Sequence, residues 1–222
     1  MQPTLTPATM LAGTVILLGP TASAAVIFDN TLNGTGSVDP DQTATFALKE
    51  SKGRGFAFDV DQGFSLTLSS LKVGLYAKNG NATGSIEVVL YELDSSFAQV
   101  QSLGSETFSN LSVLENGSFI DLTFDQLDDL TLQGGTAYGI KITNSTSNGN
   151  DIRGIQSTSN MVAGTNVTWG SYVRANDGEW HLNNAAQLGQ LNGTMAASVV
   201  PGPAAAMTLL VGVGGLARRR RR

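Results

Sequence analysis

Apolar side chains recur at every second position along most of this chain, and glycine–asparagine clusters interrupt the runs. Phe56, Phe58 and Val60 alternate with Ala57 and Asp59. Phe64, Leu66 and Leu68 alternate with Ser65 and Thr67, and Val73 and Leu75 continue after a break. Ile86, Val88 and Leu90 alternate with Glu87, Val89 and Tyr91, and the stretches Phe119–Phe124 and Tyr138–Ile142 repeat the pattern. Successive side chains of a strand point to opposite faces, so this period sends one face into a core and the other toward solvent. Between the runs lie Lys78-Asn79-Gly80-Asn81, Glu115-Asn116-Gly117, Asn148-Gly149-Asn150-Asp151 and Asn176-Asp177-Gly178. Asn and Gly tolerate positive φ, which gives these clusters a mechanism as turns. The spacing predicts roughly nine to eleven short strands with little helix between them. The expected architecture is all-β, an antiparallel two-sheet β-sandwich of the jelly-roll kind spanning residues 25–198.

Composition removes several alternatives. Hydrophobic residues make up 41 % of the chain, enough for a core and too many for a fully disordered polymer. Charged residues make up 14 %, far below what a coiled coil or helical bundle uses. The absence of cysteine excludes disulfides, thiolate metal sites and cysteine nucleophiles. A single histidine, His181, excludes multi-histidine metal sites. Five of the 13 cationic residues are Arg218, Arg219, Arg220, Arg221 and Arg222, so eight remain against 18 acids. An acidic body of that kind offers no basic patch to a nucleic-acid backbone, and no nucleic-acid partner is expected.

The two ends read as addresses rather than as parts of the sandwich. Met10–Gly19 is apolar, Pro20 breaks it, and Ala22-Ser23-Ala24 supplies the small residues that signal peptidase accepts. The run is shorter than the ~20 residues of a membrane-spanning helix. Residues 1–24 are therefore expected to form a signal helix cut after Ala24, although no Lys or Arg precedes the apolar run. At the other end, Val199-Val200-Pro201-Gly202-Pro203 is followed by the apolar segment Ala204–Ala217 and then by the five arginines. As a helix that segment would rise about 21 Å against a hydrocarbon core of roughly 30 Å, with the arginines held on the cytoplasmic side.

This layout, a Pro-x-Pro motif, an apolar helix and a terminal Arg cluster over residues 199–222, resembles the PEP-CTERM sorting signal of Gram-negative bacteria. The resemblance implies recognition by a membrane-embedded exosortase, transient anchorage in the inner membrane, delivery to the surface or beyond, and association with exopolysaccharide. Pro201-Gly202-Pro203 replaces the usual Pro-Glu-Pro and is similar to a variant of the same signal. The body resembles surface jelly-roll and choice-of-anchor domains through Gly63–Leu68, Val88–Glu92 and Gly134–Ile140.

Candidate sites in the body are few. Trp169, Tyr172 and Trp180 cluster beside His181, Asn176 and Asp177. Flat rings stack on the C–H faces of sugars and amide or carboxylate groups read the hydroxyls, so this set suits a glycan groove. The alternative is a hairpin turning at Asn176-Asp177-Gly178, whose tryptophans cap the core. Asp39, Asp41, Asp59 and Asp61 offer carboxylates of the kind Ca²⁺ takes, without EF-hand spacing, so no cofactor beyond a structural Ca²⁺ is expected. The acids show no distinguishing pair for glycoside hydrolysis, and His181 has no Gly-x-Ser-x-Gly elbow to serve. Seven Asn-x-Ser/Thr sequons begin at Asn33, Asn81, Asn110, Asn116, Asn144, Asn166 and Asn192, as expected in a chain rich in these residues. The combined expectation is an exported, non-enzymatic surface or extracellular-matrix protein with a structural or adhesive sandwich. A carbohydrate-binding module is the alternative, and a secreted hydrolase the third reading.

Overall fold

Where apolar residues alternate, the chain forms strands, and in the computed structural model these strands build two antiparallel sheets. The structure describes residues 23–29, 45–48, 52–78, 80–144, 152–155, 162–164, 166–176, 179–183 and 193–201. In chain order the strands are β1 (Ser23–Asp29), β2 (Thr45–Ala47), β3 (Lys52–Val60), β4 (Phe64–Ala77), β5 (Ala82–Leu93), β6 (Gln99–Val113) and β7 (Ser118–Thr123). They continue with β8 (Thr131–Gln133), β9 (Ala137–Asn144), β10 (Ile152–Ile155), β11 (Val162–Ala163), β12 (Val167–Asn176), β13 (Glu179–Asn183) and β14 (Gly193–Pro201). One sheet has the order β11-β1-β14-β4-β10-β2, with β7 and β8 also paired to β4. The other runs β13-β12-β3-β9-β5-β6. The architecture is the expected all-β sandwich.

The core lies between the sheets. Leu66, Leu68, Leu71, Val73 and Leu75 of β4 share one cluster with Phe56 and Phe58 of β3, Ile86, Val88 and Leu90 of β5, and Tyr138, Ile140 and Ile142 of β9. Phe28 of β1 stacks on Phe56 of β3 with ring centroids 4.8 Å apart, joining the sheets through an aromatic pair. Each fully buried side chain of this kind stabilises the fold by about 1.5–3 kcal/mol. In a chain without disulfides this burial is the main source of stability.

The break expected between Leu68 and Val73 is not a turn. Strand β4 runs unbroken through it, and its register against β14 shifts where Ala196 and Ala197 stand opposite Ser70 and Leu68. Ser69 is the extra residue. Its carbonyl accepts the Phe124 N–H at 3.0 Å, so the bulged backbone stays paired. A bulge moves the alternation by one position, which lets 66 and 68 and then 71, 73 and 75 all face the core. Fourteen strands among the described residues exceed the expected number, because short pieces and the polar strand β6 do not alternate visibly. At Gly55 an added Cβ would collide with the Ile140 carbonyl, so β3 and β9 approach more closely than any side chain permits.

Strand β1 begins at Ser23, before the expected cleavage point, and β14 runs through Val199 and Val200 to Pro201. The expected signal helix, and the tail beyond Pro201, lie outside the described residues. Among the described residues no helix is long and apolar enough to cross a membrane.

Candidate functional site

Strand β12 pairs with β13 as a hairpin: Tyr172 faces Asn183, Val173 faces Leu182, Arg174 faces His181, Ala175 faces Trp180 and Asn176 faces Glu179. The other edge of β12 lies along β3, with Trp169 opposite Phe58 and Tyr172 opposite Phe56. By register Trp169 and Tyr172 stand opposite Phe58 and Phe56, whereas Trp180 stands opposite Ala175, the partner of Gly53, so the pairing puts the two sets of positions on opposite faces of the six-stranded sheet. The side chains of Trp169, Tyr172, Asn176 and Trp180 lie outside the described set, as does Asp177. Ser171, Val173 and Ala175 stand opposite Ala57, Gly55 and Gly53, so β3 meets the hairpin along a run of near-bare backbone.

The same sheet carries a second apolar cluster that simple alternation assigns to solvent. Val89 and Tyr91 of β5 are each 7 % exposed, and they gather with Leu93, Ala57 and Ala137. Two things cover Tyr91 and its neighbours. The Lys141 ammonium lies 5.4 Å from the Tyr91 ring centroid, a cation–π contact that also lays the lysine stem over the apolar surface. Phe97 packs against the cluster from the turn after β5. Asp94 holds that turn: its Oδ1 accepts from Ser96 N at 2.8 Å, Ser96 Oγ at 2.6 Å and Ala98 N at 2.9 Å. The hydrogen bonds, led by that from the Ser96 hydroxyl, pull the Asp94 carboxyl below its ordinary pKa. They also stabilise a backbone in which Phe97 takes φ 60°. One row further along, the Thr143 hydroxyl lies 3.5 Å from Glu87 Oε2. This face therefore presents a cation, a carboxylate and small residues beside the hairpin.

The acidic candidates divide in two. Asp39 and Asp41 lie outside the described residues. Asp59, near the end of β3, has its pKa raised first by burial and then by the charge of Asp61. Asp61 Oδ1 accepts the Thr168 hydroxyl at 3.2 Å. Among the described residues no group of three or more His, Cys, Asp or Glu could hold a metal ion.

A buried carboxylate that alternation does not reveal is Glu106 of β6, 7 % exposed. Its Oε1 accepts Asp125 N at 2.9 Å, and its Oε2 accepts Gln126 N at 3.1 Å and Leu127 N at 3.2 Å. These are the backbone donors entering the 3₁₀ turn Leu127–Asp129 that follows β7, so one side chain ties an edge strand of one sheet to the loop leaving the other. A lone Glu among Ser and Thr on β6 is the signal in the sequence, and its partners are too distant along the chain to be read there.

Of the residues expected in signal cleavage and sorting, Ala24 is in β1, opposite Ser198 of β14, and Pro201 ends β14 opposite Phe64 of β4. Ala22, Gly202, Pro203 and Arg218–Arg222 lie outside the described residues.

No family model matches the chain, and no curated protein matches it. Among solved structures it is similar to a chain of T=1 particles derived from infectious bursal virus, at 10 % identity and a TM-score of 0.33. That match covers 89 % of this chain and 45 % of the viral one, so this chain spans less than half the length of the structure it matches.

Proposed function

We propose that this chain is an exported, non-enzymatic protein of the cell surface or extracellular matrix, sorted by its tail and associated with exopolysaccharide. The observation that carries the reading is the order of parts at the C-terminus: Pro201-Gly202-Pro203, an apolar segment, then Arg218–Arg222. The β-sandwich is compatible with it, since a two-sheet core without cysteine is stable in any redox compartment. Signal peptidase would remove residues 1–24, the arginines would hold the tail at the inner membrane, and an exosortase-like enzyme would act at the Pro motif. The test is fractionation of cells of an exosortase-bearing Gram-negative host. Wild type is compared with a variant in which Arg218–Arg222 are all glutamine. The expected result is wild type of reduced mass in the surface or medium fraction, with the variant missorted. Wild type kept unprocessed in the cytoplasm would refute the proposal.

A second reading, carbohydrate binding, rests on the residue types Trp169, Tyr172 and Trp180, which the β12–β13 hairpin carries in one sheet. Affinity electrophoresis on exopolysaccharide, with and without Ca²⁺, tests it. Retardation lost in folded Trp169→Ala or Trp180→Ala would locate a glycan site on β12–β13, and unretarded wild type would leave the scaffold role alone.

A further inference from the structure

Among the asparagines of the described residues, Asn116 alone is followed by glycine. It is exposed, in the turn between the end of β6 at Val113 and the start of β7 at Ser118. Gly117 has φ 80° and donates its N–H to the Leu114 carbonyl at 3.1 Å, which closes the turn. Two further bonds anchor the turn, and both act on residues before Asn116. The Leu114 carbonyl also accepts the Ala77 N–H at 3.1 Å, and the Glu115 N–H donates to Asn81 Oδ1 at 3.1 Å. The Asn116–Gly117 peptide can therefore rotate by opening one hydrogen bond while Leu114 and Glu115 stay held. Glycine has no Cβ to obstruct that rotation, and either sign of φ is open to it. Asn81 and Asn110 are exposed as well, but Ala82 and Leu111 follow them, and a side chain there screens the amide nitrogen.

The carbonyl carbon of an asparagine side chain is an electrophile for the main-chain nitrogen that follows it. The Gly117 nitrogen bonds to Asn116 Cγ and gives up its proton, the Cγ–Nδ2 bond breaks, and the amide nitrogen leaves with that proton as ammonia. The five-membered succinimide then takes up one water. Opening at Cγ gives aspartate. Opening at the main-chain carbonyl gives isoaspartate, whose backbone runs through Cβ and Cγ. We propose that Asn116 is a site of spontaneous deamidation in the folded protein, a self-modification that consumes one water and releases one ammonia. The product sets a second carboxylate beside Glu115, and the isoaspartyl form adds one atom to the main chain. Because β6 belongs to one sheet and β7 to the other, the change falls on a connection that crosses the sandwich. The reaction needs neither an enzyme nor export, so it is independent of the function proposed above.

The experiment incubates the purified full chain in mildly alkaline buffer, folded in one sample and unfolded by urea in the other. Peptides are then read by mass and by chromatography. The peptide covering 111–120 should gain about 1 Da, the exchange of –NH₂ for –OH, and resolve into aspartyl and isoaspartyl forms. Opening one net hydrogen bond should slow the folded sample by no more than roughly tenfold relative to the unfolded one. Conversion confined to globally unfolded molecules would be slower by about a thousandfold or more. A folded rate below roughly a tenth of the unfolded rate would overturn the proposal. Aspartate without isoaspartate, the mark of direct hydrolysis, would also overturn it. Peptides carrying Asn110 should convert more slowly than the 111–120 peptide in both samples, and equal conversion in the folded chain would overturn the role given to Gly117.

Discussion

Replacing Glu106 by glutamine tests whether one buried side chain holds the two sheets in place. The carboxylate accepts three backbone N–H groups at 2.9, 3.1 and 3.2 Å, two of them on Oε2. Hydrogen bonds to a charged acceptor contribute about 1.5–3 kcal/mol each, and a buried donor left without a partner costs about 1–3 kcal/mol. Glutamine keeps one acceptor oxygen, which can still serve Gln126 and Leu127, but it turns an amide N–H₂ toward the Asp125 donor. One bond is then lost outright and two lose their charge. Non-additivity within a shared site argues for a total of about 2–3 kcal/mol for Glu106→Gln, and about 4 kcal/mol for Glu106→Ala, which strands all three donors. In a domain of this size, each kcal/mol shifts Tm by roughly 2–4 °C, so Glu106→Gln should lower Tm by about 5–10 °C. Urea unfolding should show the same loss as a shift in midpoint at unchanged slope. Glu115→Gln, at an exposed turn, is the control and should change stability by less than about 0.5 kcal/mol. A Glu106→Gln midpoint indistinguishable from that control would refute the argument that these bonds hold the loop.

Gly55→Ala forces a Cβ onto the Ile140 carbonyl and should cost roughly 3 kcal/mol or more in urea unfolding, because backbone rather than a side chain must move. Gly80→Ala, with open space around it but φ +90°, should cost only the left-handed penalty of about 1–2 kcal/mol. Asp59 is protonated more readily in the folded than in the unfolded chain, so at neutral pH its charge works against folding. That penalty disappears as pH falls through the raised folded pKa toward the ordinary value of 3.8. Asp59→Asn should therefore be more stable than wild type at pH 7 and equal to it below pH ~3, as read by thermal unfolding; a difference that persists unchanged in acid would contradict this cause.

Much of the sandwich is legible in the sequence because strand periodicity is a property of neighbouring residues. Phe56, Phe58, Val60, Ile86, Val88, Leu90, Ile140 and Ile142 all alternate in plain view, and all are buried. Strand β6 escapes that reading. It is an edge strand whose mostly polar residues face water, and its buried members, Glu106 and Val113, are too far apart to mark a period. Tyr91 and Val89 mislead in the opposite sense, since alternation sends them to solvent while Lys141 and Phe97 cover them. The candidate site is similarly divided. Residue types suited to sugar stacking are visible at Trp169, Tyr172 and Trp180, whereas Phe58 and Phe56, opposite the first two, lie over a hundred residues away and meet them only by register.

Alternation, turn composition and the absence of cysteine are enough to commit this chain to two antiparallel sheets, because each acts over a few bonds. The chemistry of its ends is equally local, written as short runs of small, apolar and cationic residues. Which strands become neighbours is another matter. The pairing of β1 with β14, the bulge at Ser69 and the docking of Glu106 on residues 125–127 all join segments distant in the chain. They depend on closing one common core, whose burial outweighs any local preference, and so they exist only once the whole sandwich has assembled.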